Sequence, residues 1–227
     1  MLLIKTLTPG SVVLFQGDSI TNAFRKPEEV GTSYRLGSGW AMIVAANLQA
    51  EFPEMQLKFE NRGVSGNGLT DLLARWQKDC LALKPAILSV LVGVNEVLRD
   101  RLRPAVDISA FESYYRQLLE MTRRNLPQIR LVLCEPFLLP SAAVGVSVED
   151  PSAVAPELCS RLRPCQRMVR QLAEEWQAVF VPLQEPLERA AATTGPDYWL
   201  FDGVHPNAAG QWIIAREWLS AVAGITL

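Results

Sequence analysis

The chain of 227 residues has few of the side chains from which metal and nucleic-acid sites are built. It contains one histidine and four cysteines, and no two cysteines form a CxxC pair, so we expect no metal site. The formal charge of -2 provides no basic surface for nucleic acid. No apolar run reaches the length of about eighteen residues that a membrane-spanning helix needs. These absences argue against three classes: metalloproteins, nucleic-acid-binding proteins and membrane-spanning proteins.

The usual nucleotide-binding fingerprints are also missing, although the chain has 14 glycines. The cluster of Gly63, Gly66 and Gly68 lacks the GxGxxG spacing, and it follows the second apolar run of the chain rather than the first. The GxxxxGKS/T sequence of phosphate-binding loops does not occur either. We therefore expect no bound nucleotide and no other cofactor.

The first residues contain no long apolar segment followed by a small-residue cleavage site, so we expect no secretory leader. The four cysteines are best interpreted as reduced, mostly buried thiols. Both observations predict a cytoplasmic location. The sequence leaves open whether the chain forms a homo-oligomer.

Apolar residues make up 49% of the chain, which suits one sizeable core, and we expect a single domain over residues 1–227. Short apolar runs alternate with stretches of helical periodicity. Strands are predicted at 11–16, 56–61, 86–93, 130–135 and 178–182, and helices at 38–51, 69–83, about 108–126 and about 161–177, followed by two more. This alternation predicts an α/β fold with a doubly wound, flavodoxin-like sheet of five parallel strands, covered by helices on both faces.

Two long connections interrupt this rhythm, at 22–37 and 138–158, and both are rich in Pro, Gly, Ser and Glu. Each follows the carboxyl end of a predicted strand, the edge at which open α/β sheets bind their ligands. They are either parts of a ligand site or variable surface connections.

Polar clusters lie where the predicted strands end and near the C-terminus: 17–19, 63–68, 93–96 and 202–205. The carboxyl ends of parallel strands share one edge of a sheet, so these clusters are expected to converge. Acyl transfer requires such a convergence of a nucleophile, a base, a group that orients the base, and donors for an oxyanion.

Ser19 follows an apolar strand, a position that exposes its hydroxyl at the sheet edge. A serine needs a base to accept its proton, and His205 is the only imidazole in the chain. Asp202 lies three residues before His205, close enough for its carboxylate to bind Nδ1 and fix the tautomer. Taken singly, Ser19 could be an ordinary helix cap and His205 a helix-entry residue. Together the three side chains favour a catalytic triad.

Three donors could form an oxyanion hole at the same edge. Asn95 follows Gly93 at the end of the third strand and could direct its amide there, and Gly66 could turn its N–H outward. The Ser19 N–H would be the third donor. The alternative for Asn95 and Gly66 is simple turn chemistry.

The blocks FQGDSIT, NRGVSGNGLTDLLARW, LVGVNE and DGVHPNAAG occur in this order from the first strand to the last helix. They resemble the four signature blocks of the SGNH/GDSL hydrolases, whose name-giving residues correspond here to Ser19, Gly66, Asn95 and His205. The resemblance implies a three-layer α/β/α fold, no metal, and hydrolysis of esters or thioesters through an acyl-enzyme. One departure is Glu96, because the family usually has Asp after the asparagine of its third block.

Other segments, among them SYYRQLL at 113–119, CEPFLLP and AREWL, resemble the bacterial branch of the family that includes acetyl-xylan esterases. This resemblance implies small acyl esters, acetylated sugars among them, as substrates. Trp40, Trp199 and Phe201 are candidates to line the pocket, with burial in the core as the equal alternative. Two further hypotheses stay open: an acyl-thioesterase or lysophospholipase of the same family, and a non-catalytic binding protein on this fold.

Overall fold

A five-stranded parallel sheet lies at the centre of the computed structural model, which describes residues 3–29, 31–99, 106–141 and 151–226. The strands are β1 (Val12–Gly17), β2 (Lys58–Asn61), β3 (Ile87–Leu91), β4 (Arg130–Cys134) and β5 (Val179–Val181). Their order in the sheet is β2-β1-β3-β4-β5, and every neighbouring pair is parallel. The doubly wound, flavodoxin-like sheet predicted from the sequence is confirmed.

Helices connect the strands and cover both faces of the sheet. They are α1 (Ser19–Asn22), α2 (Trp40–Glu51), α3 (Leu69–Asp79), α4 (Val94–Leu98), α5 (Ile108–Asn125), α6 (Pro151–Glu175), α7 (Gln184–Thr194) and α8 (Ala208–Trp218). None of the helices in these described ranges is long and apolar enough to cross a membrane.

The core forms around the central strands β1, β3 and β4, which are mostly apolar and buried along nearly their whole length. Phe15 of β1 is fully buried and packs edge-on against Trp40 of α2 and Trp218 of α8, which share one face of the sheet. On α3 and α5, the Trp76 indole donates a hydrogen bond to the Thr122 hydroxyl at 2.9 Å. The helices thus form two layers around the sheet, which gives the three-layer α/β/α fold that the resemblance implied.

The main departure from the sequence prediction is α6, which begins at Pro151 rather than near residue 161. Prolines at 156 and 164 lie within this helix, and prolines usually interrupt helices, so the segment resembled a loop. A buried stripe of helical spacing nevertheless begins early, at Leu158, Leu162, Cys165, Val169 and Leu172. Part of the long connection expected at 138–158 is therefore helix, and residues 142–150 of it lie outside the described residues.

Candidate active site

The carboxyl edge of the sheet carries an open cleft of about 710 Å³ next to the ends of β1 and β3. These two strands are neighbours in the sheet, and the chain continues from them in opposite directions across it. Open α/β sheets bind their ligands at such a switch point. Members of all four polar clusters of the sequence are among the residues that line the cleft, which are Ser19, Ile20, Asn22, Ala23, Phe24, Ser38, Ser65, Gly66, Asn95, Phe201, Asp202, His205, Pro206, Asn207, Ala208 and Gln211.

Ser19 is the first residue of α1, two positions after the end of β1. The Asp18 carboxylate caps this short helix by accepting the Ile20 N–H at 2.9 Å. Gly17 allows the end of β1 to approach β3 closely, since a Cβ there would lie 2.3 Å from the Leu91 carbonyl oxygen. The strand, the glycine and the cap together place the Ser19 hydroxyl in the cleft.

A continuous chain of short contacts joins Ser19, His205 and Asp202. Ser19 Oγ lies 2.8 Å from His205 Nε2, and His205 Nδ1 lies 2.7 Å from Asp202 Oδ2. The other carboxylate oxygen, Asp202 Oδ1, accepts the backbone N–H groups of Val204 and His205 at 3.0 and 2.8 Å. Both carboxylate oxygens of Asp202 are therefore bonded within the turn that carries His205.

Opposing effects act on the pKa of Asp202. Partial burial raises the pKa, but hydrogen bonds from the backbone and ring of His205 and from the Val204 N–H outweigh it, and the net pKa is lowered. The carboxylate therefore stays ionised beside the ring. An ionised carboxylate at Nδ1 is what a basic Nε2 requires.

Ser19, Gly66 and Asn95 meet in the same cleft, as their positions in the sequence suggested. Gly66 adopts a φ of +77°, a left-handed conformation that favours glycine, and it is exposed. Within the part of the chain that the structure describes, neither the Ser19 N–H nor the Gly66 N–H donates to another residue. Two backbone donors are thus available to a ligand.

Asn95 is buried at the start of α4, and its amide is already oriented by neighbours. Nδ2 donates to the Asn67 carbonyl oxygen at 3.0 Å and lies 3.4 Å from Asp18 Oδ2. These contacts hold the amide between the glycine loop and the turn that carries Ser19.

Glu96 stands where the SGNH/GDSL pattern usually has Asp. It connects the third signature block, which contains Asn95, to the second, which contains Gly66. Its Oε1 accepts the Leu69 N–H at the start of α3 at 2.7 Å. A Cβ at Gly68 would lie 2.8 Å from the same carboxylate, so a side chain there would displace the end of Glu96. Burial of the carboxyl group raises the pKa of Glu96. The longer side chain of glutamate thus fixes the position of the loop that carries Gly66.

Arg75 and Arg99 are two site-supporting residues that the sequence analysis did not identify. Arg75 donates to Asn67 Oδ1 at 2.8 Å and to the Gly17 carbonyl oxygen at 3.3 Å, which joins the glycine loop to the end of β1. Arg99 donates to the Gly66 carbonyl oxygen. In a sequence, an arginine that supports a site looks the same as an arginine that points into solvent, because only the structure shows its hydrogen-bond partners.

Asp18 is the most strongly perturbed acid at the site. It is 1% exposed, and burial raises its pKa to about 7, although the Ile20 N–H and the charge of His205 oppose the rise. The cap of α1 is therefore a carboxyl group that ionises with difficulty.

Of the three aromatic residues that were candidates to line the pocket, one lines the cleft and two do not. Phe201 lines the cleft and is 66% exposed. Trp40 is fully buried with its ring edge-on to Phe15 of β1, which corrects the expectation that it lines the pocket, because this packing places it in the core. Trp199 also lies outside the lining, because its indole donates to Thr194 Oγ1 at 2.8 Å. A different aromatic residue, Phe24, lines the cleft instead.

A serine, an imidazole and a carboxylate in hydrogen-bond contact at the edge of a parallel sheet are the arrangement that serine hydrolases use. The family model of the GDSL-like lipase/acylhydrolases matches residues 15–213, and the chain belongs to this family. The resemblance noted from the four blocks is thereby confirmed.

Relatives of known structure agree with this assignment. An acetylxylan esterase of Geobacillus stearothermophilus is 33% identical in an alignment 220 residues long that covers 94% of each chain. Its crystal structure superposes with a TM-score of 0.81 at 32% identity, over 98% of this chain and 96% of that one. A Parabacteroides merdae protein assigned to the GDSL-like lipases reaches a TM-score of 0.87 at 34% identity, over 96% and 97% of the two chains. The chain is an esterase of the GDSL family.

Proposed function

We propose that the protein is a serine esterase that removes short acyl groups, acetyl above all, from sugars or oligosaccharides through an acyl-enzyme intermediate. The observation that carries the proposal is the Ser19–His205–Asp202 chain at 2.8 and 2.7 Å inside the cleft. A non-catalytic binding protein would have no need of this arrangement. Variants of the Geobacillus esterase in which a serine or an aspartate is replaced by alanine are described as catalytic mutants, which supports the same roles here.

The first half of the reaction forms the acyl-enzyme. Asp202 keeps the proton of His205 on Nδ1, so Nε2 is free to accept the hydroxyl proton of Ser19. Ser19 Oγ then attacks the ester carbonyl carbon. When the tetrahedral intermediate collapses, the bond to the alcohol oxygen breaks and His205 Nε2 gives its proton to the leaving alcohol.

The second half repeats these steps with water. A water molecule gives a proton to His205 Nε2 and attacks the acyl carbon, and the bond to Ser19 Oγ breaks. Oγ recovers the proton from the imidazolium, and the carboxylic acid is released. Both tetrahedral intermediates carry a negative oxygen, which the N–H groups of Ser19 and Gly66 and the amide of Asn95 would stabilise.

The charge of the cleft favours a neutral alcohol half. None of the described residues that line the cleft is a lysine or an arginine, and its charged group is the Asp202 carboxylate beside His205. The phosphates of acyl-CoA or of a lysophospholipid would find no cationic partner there. A sugar ester carries no charge. The cleft therefore fits the sugar substrate better than the thioesterase or lysophospholipase alternative.

A substrate comparison tests this proposal. We expect the wild-type protein to release acetate from acetylated xylo-oligosaccharides and acetylated monosaccharides much faster than it hydrolyses acetyl-CoA or longer acyl-CoAs. The Ser19→Ala variant is the control, and it should lose turnover on every substrate. Faster hydrolysis of acyl-CoA than of any sugar ester would instead favour the thioesterase, and full activity of Ser19→Ala would refute the mechanism.

A further inference from the structure

Two phenyl rings border the proposed catalytic cleft without being covered by the rest of the protein. Phe24 is 85% exposed and Phe201 is 66% exposed, the two largest values among the exposed large hydrophobic residues of the described chain. Both line the cleft that contains Ser19 and His205. Exposed apolar surface that is concentrated in one polar-rimmed groove is typical of a ligand site.

The backbone that presents Phe24 is held in an unfavourable conformation. Ala23 and Phe24 have φ values of 41° and 60°, in the left-handed region that a residue with a side chain seldom adopts. The Ala23 carbonyl oxygen accepts the Ser38 N–H at 2.8 Å and the Ser38 hydroxyl at 3.2 Å. The left-handed backbone and the exposed ring both cost free energy, and Phe24 does not recover that cost by packing against the protein. A role in ligand binding explains both features.

The surroundings of the two rings match the chemistry of a sugar. A pyranose ring has apolar C–H faces, which stack on aromatic rings, and hydroxyl groups at its edge, which need hydrogen-bonding partners. The same cleft contains the exposed side chain of Ser65, which makes no hydrogen bond to other described residues. Among the described residues that line the cleft there is no lysine or arginine to bind an anionic ligand.

We infer that Phe24 and Phe201 form an aromatic platform for the sugar ring of the alcohol half of the substrate, and that Phe24 is a specificity-determining residue. The inference rests on the proposed esterase function, and it adds the part of the cleft that selects the alcohol. The occupant that competes with the sugar is a long acyl chain, which an apolar platform would also bind.

A ratio of activities tests the inference. The value of kcat/KM is measured for peracetylated methyl xyloside and for ethyl acetate, whose alcohol has no ring to stack, and the ratio of the two is compared between variants. Phe24→Gly should lower this ratio about three- to tenfold, mainly through KM for the sugar ester. Glycine tolerates the left-handed backbone, so the variant should also fold. Phe24→Trp, which restores an aromatic face, should recover the ratio.

The matched control is Tyr34→Ala. Tyr34 is 62% exposed and lies in the same connection between β1 and α2, but it does not line the cleft. This variant should leave both the ratio and the activity unchanged. An unchanged ratio in Phe24→Gly would overturn the inference. So would a larger loss on ethyl decanoate than on the sugar ester, because the platform would then hold the acyl chain.

A binding measurement separates this inference from the proposed function. Calorimetry with peracetylated methyl xyloside and the Ser19→Ala protein should show weaker binding when Phe24→Gly is added. Weaker binding would support the platform even if the wild-type protein hydrolysed no ester. The absence of hydrolysis would refute only the proposed esterase function. Equal binding with and without Phe24→Gly would overturn the platform while leaving any measured hydrolysis of ethyl acetate intact.

Discussion

Asp202 and His205 lie on one short turn and are held by bonds within it, whereas Gly66 and Asn95 come from separate segments that distant side chains fix to each other. In the proposed mechanism the first pair and Ser19 are the proton-transfer half of the cleft. The second pair belongs to the proposed oxyanion half, where Arg75 holds the glycine loop by its bond to Asn67. A local motif can therefore build the Asp202–His205 pair, whereas Ser19, Gly66 and Asn95 are brought to it by tertiary contacts.

This comparison leads to different expectations for mutations. A change in the proton-transfer half removes a chemical step, so its effect on kcat should be large. A change in the contacts that support the oxyanion half only shifts a hydrogen-bond donor. Its effect on kcat should therefore be smaller the farther the changed residue lies from the reacting atoms.

The largest effect among the supporting residues is expected for Asp202→Asn. The amide cannot hold the proton of His205 on Nδ1 as the carboxylate does, so Nε2 would lose its role as a base. In the serine-protease triad the same replacement of aspartate by asparagine lowers kcat about 10⁴-fold, and we expect a loss of similar size or smaller here. Steady-state kinetics on an acetyl ester measure it. A loss below about tenfold would show that other groups orient the ring.

Asn95→Ala tests the oxyanion half directly. The loss of one donor to an oxyanion usually lowers kcat about 10²–10³-fold, and KM should change little because the donor acts on the transition state. The same kinetic assay gives both parameters. An effect confined to KM would mean that Asn95 binds the substrate rather than the oxyanion.

Asp18 lies between the halves, next to Ser19 and 3.4 Å from the amide of Asn95, and it makes stability depend on pH. Burial raises its pKa from 3.8 to about 7, so between these values the folded state keeps a proton that the unfolded state loses. The contribution of Asp18 to the free energy of unfolding should therefore fall as pH rises through this window, by about 1.4 kcal/mol per pH unit.

Asp18→Asn should remove that contribution, because an amide does not ionise and can still accept the Ile20 N–H. Urea unfolding of the wild type and the variant at several pH values between 4 and 7 measures the difference between them, in which groups common to both proteins cancel. A difference that does not change with pH would contradict the burial of an ionisable Asp18.

The smallest effect is expected at Glu96. Glu96→Asp keeps the charge but shortens the side chain, so the bond to the Leu69 N–H should be lost and the glycine loop should move. One hydrogen bond corresponds to about 1 kcal/mol, so a loss of about fivefold in kcat is expected. Glu96→Gln is the matched variant, since it keeps the length and the acceptor and should lose less. A larger loss for glutamine than for aspartate would show that the charge matters, not the reach.

Much of the fold and of the site could be predicted because the signals are local. Apolar runs marked the five strands, and the polar clusters at their ends converged because parallel strands share an edge. The burial of individual side chains could not be predicted in the same way. Trp40 and Phe24 are both aromatic residues near the first strand, yet one is in the core and the other in the cleft. Which neighbours cover each ring depends on tertiary packing, and sequence spacing does not encode it.

The most direct test of the account is the site of covalent labelling by a fluorophosphonate, which reacts with activated serines. Mass spectrometry of the labelled protein and its peptides should show one adduct, on Ser19, together with loss of esterase activity. The Ser19→Ala variant should take up no label and hydrolyse no ester, and His205→Ala should be labelled far more slowly. An adduct on another serine, or turnover that survives Ser19→Ala, would contradict the assignment of Ser19 as the nucleophile.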